Sequence, residues 1–328
     1  MESLIFAFNS VSPIIFTVAV GYFFKKIGLM SPDFAKQANK LVFRAFLPAM
    51  LFLNVYGIEN MSGISFGYVI YALAALLIIF GLAIPTVILL TDKRECRGAM
   101  LQGVFRSNYA LIGIPLASSL FPGEGAAVAT LLSAVMVPAF NILAVIGLSI
   151  FNNNGEKPNI KKVLLGIIKN PLILGIAAGL VALAIRAIFN NVGISFRISE
   201  IPAIYSTLKY LSNIATPLAL LVLGAQFEFS AIPTLKREII CGVILRSVIV
   251  PLLGLGVAYL FFRESFNGAQ FAALVAVFCT PVAVSSVPMA QEMGADASLA
   301  GQLVVFTTVS SAVTVFLASF LLKVAGIF

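Results

Sequence analysis

Histidine and tryptophan are absent from this 328-residue chain, cysteine occurs three times, and charged residues make up only 10%. Without an imidazole there is no histidine proton relay, no bis-His haem ligation and no Ser-His-Asp chemistry. Cys96, Cys241 and Cys279 are scattered and lack metal-ligand spacing. They are expected to be small apolar packers, and no metal or other cofactor is expected. No Asp or Glu falls at the centre of a long apolar run, so the buried carboxylates that commonly mark proton or cation paths are missing. A membrane-embedded enzyme has little to work with here. Soluble domains carry about 25% charge; with 60% hydrophobic residues and a mean hydropathy of +1.07, this chain belongs in a bilayer. The net charge of +8 calls for no nucleic acid, because basic cytoplasmic loops account for it. The first apolar run lacks a basic flank and a cleavage site, so it is expected to be retained as a helix.

What is present is a series of apolar runs, each near the 20 or so residues a helix needs to cross hydrocarbon. Ten are read: residues 4–24, 34–56, 66–90 and 98–120, then from beyond Pro122-Gly123 to 151, and 163–189, 203–227, 238–262, 268–290 and 297–324. Ser31-Pro32-Asp33 is a helix-start signal for the second. The polar loop NNNGEKPN at 152–159 is the best internal boundary. It divides the chain into residues 1–155 and 156–328, five spans each.

Basic residues alternate between loops. Lys25, Lys26, Lys36, Lys40, Lys93, Arg94, Arg97, Lys157, Lys161, Lys162, Lys236 and Arg237 fall on one side, against Arg186, Arg197, Arg263 and Lys323 on the other. Basic loops stay in the cytoplasm, so both termini are expected outside a cytoplasmic (inner) membrane crossed many times. Five spans per half place the second half upside down relative to the first. Traces of duplication agree: Pro13 and Gly21 recur as Pro171 and Gly179, Pro48 as Pro217, and Ser107 and Pro115 as Thr280 and Pro288. The expected fold is all-α: two inverted five-helix repeats with broken fourth and ninth helices.

The fourth span reads FRSNYALIGIPLASSLF from Phe105. Pro115 removes a backbone N–H and its ring clashes with the Leu111 carbonyl, so with Gly113 nearby the helix is expected to kink or break there. The ninth span carries Pro281 and Pro288 around Ser285 and Ser286. Broken backbone survives in a membrane only inside protein or beside a watery cavity, and such breaks point to a transporter's binding site. Half-helices starting beyond the two breaks would aim N–H donors and positive dipole ends at one cavity, suiting an anion. Two proline kinks that merely shape packing are the plainer alternative.

The stretches NYALIGIP (from Asn108) and TPVAVSSVPMAQEMGAD (from Thr280), with LPAMLF from Leu47 and TPLALLVLGA from Thr216, resemble the auxin efflux carrier family of permeases. Plant auxin exporters and bacterial malonate- and malate-type permeases are members. The resemblance covers essentially the whole chain. It implies the fold shared with bile acid/sodium symporters, with scaffold helices 1, 2, 6 and 7 and a moving transport domain of helices 3–5 and 8–10. It also implies an organic anion whose carboxylate is hydrogen-bonded by Asn108 at the crossover. The short central loop is like that of bacterial members, which argues against auxin itself and against control by phosphorylation.

Candidate substrate-binding residues are therefore Arg106, Asn108, Tyr109, Gly113, Pro115, Asn141, Thr280, Pro281, Ser285, Ser286 and Pro288. Arg106 lies roughly 12 Å into its span at the helical rise, and either pairs with a substrate carboxylate or snorkels to the cytoplasmic face. Asn141 either faces the cavity or bonds a neighbouring helix. Thr307, Ser310 and Ser311 are expected to bond back to their own helix. Gln291 and Glu292, just past Pro288, are the candidates for coupling to H+ or Na+. The function expected is alternating-access transport of a small mono- or dicarboxylate, by a homodimer joined through scaffold helices. An anion channel or a transport-inactive sensor on the same bundle are the alternatives.

Overall fold

The computed structural model describes residues 2–57, 66–151, 165, 168–191 and 193–328, and among these the chain is helical with no strand. The main helices are α1 (Glu2–Lys26), α2 (Pro32–Tyr56), α3 (Phe66–Leu90), α4 (Arg94–Phe105), α5 (Tyr109–Leu120) and α6 (Gly125–Phe151). They continue as α7 (Pro171–Asn191), α8 (Pro202–Gln226), α9 (Lys236–Phe262), α10 (Gly268–Phe278), α11 (Ser286–Glu292) and α12 (Ala297–Val324). Seven of the described helices (α2, α3, α6, α7, α8, α9 and α12) are individually long and apolar enough to cross a membrane. The protein is a multi-pass membrane protein. The two segments read as single fourth and ninth spans are each divided, into α4 and α5 and into α10 and α11. The loop 152–159 lies outside the described residues, as does the start of the run at 163.

Three prolines shape their helices one turn upstream of where they sit. Wide π-turns cover Val42–Phe46, Tyr109–Gly113 and Leu245–Ile249, each ending just before Pro48, Pro115 or Pro251. A proline ring presses on the carbonyl four residues back. Widening the turn relieves that pressure, and Leu47, Ile114 and Val250 donate instead to the carbonyls of Val42, Tyr109 and Leu245. Pro115 thus swells a helix already begun at Tyr109 and does not break it. The break lies upstream at Arg106 (φ −85, ψ 116) to Asn108 (φ −79, ψ 50). Pro288 likewise falls in the first turn of α11, where no N–H is needed, and the ninth-span break covers Cys279–Ser285 around Pro281.

Helices α1, α2, α7 and α8 form one packed group, with α1 along α8 and α2 along α7. Glycine makes these contacts close: a Cβ on Gly21 would strike the Leu221 carbonyl, and one on Gly224 the Val18 carbonyl. A Cβ on Gly175 would meet the Pro48 carbonyl. The paired breaks lie in a second group, in which α4, α6, α10 and α12 supply most of the fully buried apolar side chains. Basic loops gather at one end of the bundle. Lys93 Nζ donates to the Thr234 carbonyl (2.9 Å), Arg94 Nε to Phe151 (3.2 Å) and Lys25 Nζ to Phe227 (3.4 Å).

Candidate functional site

The two breaks meet. Ser107 and Val282 form an isolated antiparallel bridge, and Asn108 N donates to the Pro281 carbonyl at 2.8 Å. Each strand-like segment so satisfies part of the other's backbone, as buried backbone requires. The Ser107 and Thr280 hydroxyls hydrogen-bond each other, and Thr307 Oγ1, while bonding back to Leu303 of its own helix, accepts from Val282 N at 3.1 Å. Ser310 and Ser311 also bond back within α12.

Beneath the junction lies Arg246 of α9, 1% exposed. Its guanidinium donates to the Thr280 carbonyl from Nε (2.9 Å) and Nη2 (2.6 Å), and to Val277 (3.2 Å), Val104 (3.3 Å) and Phe105 (3.4 Å). These are the free carbonyls at and just beyond the carboxyl ends of α4 and α10, where the helix dipole is negative. One side chain caps both half-helices, with a geometry that a fork of donors provides and a lysine does not.

Above the junction, a cavity of about 220 Å³ separates the breaks from α2 and α8. Arg106, Ser107, Asn108, Tyr109, Asn141 and Ser285 line it on one wall. Asn54 and Thr216 add polar groups to an otherwise apolar opposite wall. Arg106 is 2% exposed and does not snorkel. Its Nη1 donates to Gln102 Oε1 (2.8 Å), and its Nη2 to Asn141 Oδ1 (2.6 Å) and Ser285 Oγ (2.8 Å). None of its partners is a carboxylate, so a full positive charge is held in place and left without an opposite one. Asn141 Nδ2 is spent on its own helix at Val137 (2.8 Å), which fixes Oδ1 toward Arg106. Asn108 is the complement: its Nδ2 is buried and has no hydrogen-bond partner. An amide donor without a protein partner and a guanidinium without a counter-ion, in one cavity, are both able to bond the acceptor oxygens of an anion.

The remaining sequence candidates fall elsewhere. Tyr109 gives its hydroxyl to the Ala129 carbonyl (2.8 Å), so only its ring and backbone face the cavity. Gly113 lets α5 approach α10, since a Cβ would come 3.1 Å from the Ala276 carbonyl. Thr280 and Pro281 build the junction, Ser286 touches Arg106 from behind at 3.4 Å, and Pro115 and Pro288 shape first turns. Gln291 lines a separate cavity, and Glu292 pairs with Arg44 of α2 (3.6 Å). Sequence reasoning missed Arg246 and Gln102. A basic residue eight positions into the span at 238–262 was the available signal for the first, and none existed for the second.

The model of the family described as membrane transport protein matches residues 6–319. A protein of Methanothermobacter thermautotrophicus named as an uncharacterized transporter is 24% identical over 313 residues, 93% of this chain and 95% of that protein. The chain therefore belongs to the membrane transport protein family, that of the auxin efflux carriers its motifs resemble.

Proposed function

We propose that this protein is a secondary carrier that moves a small organic anion, a mono- or dicarboxylate, across the cytoplasmic membrane by alternating access. One observation carries the reading: the partnerless Asn108 Nδ2 shares a cavity with the Arg106 guanidinium, itself held by Gln102, Asn141 and Ser285 without a counter-charge. A carboxylate supplies what both lack. The cavity's position, between the group α1, α2, α7, α8 and the group bearing the breaks, supports a two-body mechanism in which the second group moves its site past the first. In this reading α1 counts as one span and each broken pair as another, which with the seven intact helices gives ten, arranged as inverted repeats. The basic end of the bundle is the cytoplasmic one, and both termini lie outside.

The observation favours a carrier over a channel, because a fixed charge seated in a small cavity binds its anion at each turn. Proteoliposomes loaded with unlabelled carboxylate should accumulate labelled carboxylate transiently, and Arg106→Met should abolish this counterflow. Flux without counterflow would indicate a pore, and no flux in any arrangement would indicate a sensor.

A further inference from the structure

A second cavity, of about 270 Å³, lies between the carboxyl end of α8, α11 and the first turns of α12, toward the basic end. Its polar lining is of opposite character to the first. Gln291 Oε1, Ser298 Oγ and Gln302 Oε1 are all buried, and none has a hydrogen-bond partner. Gln302 is 1% exposed, and its orientation is set by its own amide, since Nε2 donates to the Glu228 carbonyl at 3.0 Å. The atom left over is the oxygen. In the Asn108 cavity the orphan is an N–H donor beside a cation; here the orphans are oxygens, and Glu228, an exposed residue, borders the same cavity.

The surrounding charges agree. Helices α8 and α11 end here, and their carboxyl termini are negative. The amino end of α12 opposes this, but Asp296 Oδ1 accepts from Leu299 N at 2.8 Å and offsets that turn. Of the nearby basic groups, Lys25 is held at the rim on the Phe227 carbonyl (3.4 Å), and Arg44 is paired with Glu292. Hard neutral oxygens suit an alkali cation; zinc and copper prefer nitrogen and sulfur, and calcium sites gather carboxylates.

We propose that Gln291, Ser298 and Gln302 form a binding site for a monovalent alkali cation, with Glu228 at its exposed edge. Because α8 belongs to one packed group and α11 and α12 to the other, an ion there ties the two together in the arrangement seen. The site is separate from the carboxylate cavity and does not depend on it.

The test is thermal unfolding of the purified full-length protein in NaCl, KCl and LiCl against N-methylglucamine chloride at equal ionic strength, with equilibrium dialysis of radioactive sodium. One alkali cation should raise the Tm saturably, by several degrees at about a hundred times its Kd. Ser298→Ala and Gln302→Met should each weaken the apparent affinity about ten-fold or more, and Ser298→Ala removes one hydroxyl without disturbing the Gln302 bond to Glu228. Equal melting in every salt would mean the cavity holds only water and would overturn the proposal. An unchanged cation response in both variants would do the same. Arg106→Met serves as the control: it should lose carboxylate binding while keeping the cation response, so that the two readings fail separately.

Discussion

Replacing Asn108 by alanine should move stability and affinity in opposite directions. Asn108 Nδ2 is a buried donor without a partner among the protein's own groups, and an unsatisfied buried group costs about 1–3 kcal/mol. Its removal should leave the Tm unchanged or raise it. In the bound state the same N–H would donate to a carboxylate, and a charge-assisted bond contributes about 1.5–3 kcal/mol. Affinity should therefore fall by about ten- to a hundred-fold. Asn108→Asp should be worse, because an ionised carboxylate in the cavity would neutralise Arg106 from within and repel the substrate. The assay pairs two measurements on each purified variant: melting without ligand, and titration with whichever carboxylate raises the wild-type Tm. Wild-type affinity in both variants would refute the site. A lowered Tm with unchanged affinity would make Asn108 a packing residue.

Arg246→Met should cost about 3–5 kcal/mol, as expected when a buried charged partner is removed, seen as a Tm fall of roughly 10 °C; Arg246→Lys should recover little. Pro115→Ala should leave affinity within about three-fold, since the break at Arg106–Asn108 lies upstream of the proline; calorimetric titration decides this. Glu292→Gln should change stability by less than about 1 kcal/mol, because its partner Arg44 has a 62% exposed side chain and such pairs contribute little. The same variant should keep the wild-type cation response, since Glu292 is occupied by Arg44. After Cys241, the native cysteine that is not buried, is replaced, a cysteine at Asn154 should resist a membrane-impermeant thiol reagent in intact cells; ready labelling would reverse the proposed orientation.

The sequence made the two interrupted spans visible, because proline and polar residues stand out in apolar runs. It misplaced the first interruption. A proline acts on the turn before it, and at Pro115 that turn had room to widen into a π-turn. The actual break at Arg106–Asn108 is stabilised by backbone pairing with residues 281 and 282, a partnership with no local signature. Arg106 illustrates the same limit. Its depth in the span leaves both snorkelling and binding open, and only the positions of Gln102, Asn141 and Ser285 decide for burial. Arg246 looks like any basic residue in a span by sequence, because the two helix ends that converge on it come from elsewhere in the chain. Glu292 is a coupling candidate by sequence, where nothing reveals that Arg44 of α2, far away in the chain, lies 3.6 Å from it.

The glycine contacts of α1 with α8 bear on how the chain is made. Gly21 rests on Leu221, and Gly224 on Val18, so the α8 surface that fits α1 is encoded some two hundred residues later. At about 5–20 residues per second, α1 waits roughly ten to forty seconds for the surface that fits it. During that interval a notch shaped for a peptide backbone faces lipid or other early helices. Nascent chains halted before residue 202 would therefore carry an unfilled groove on α1, making this interval the one in which insertion factors and membrane proteases decide the protein's fate.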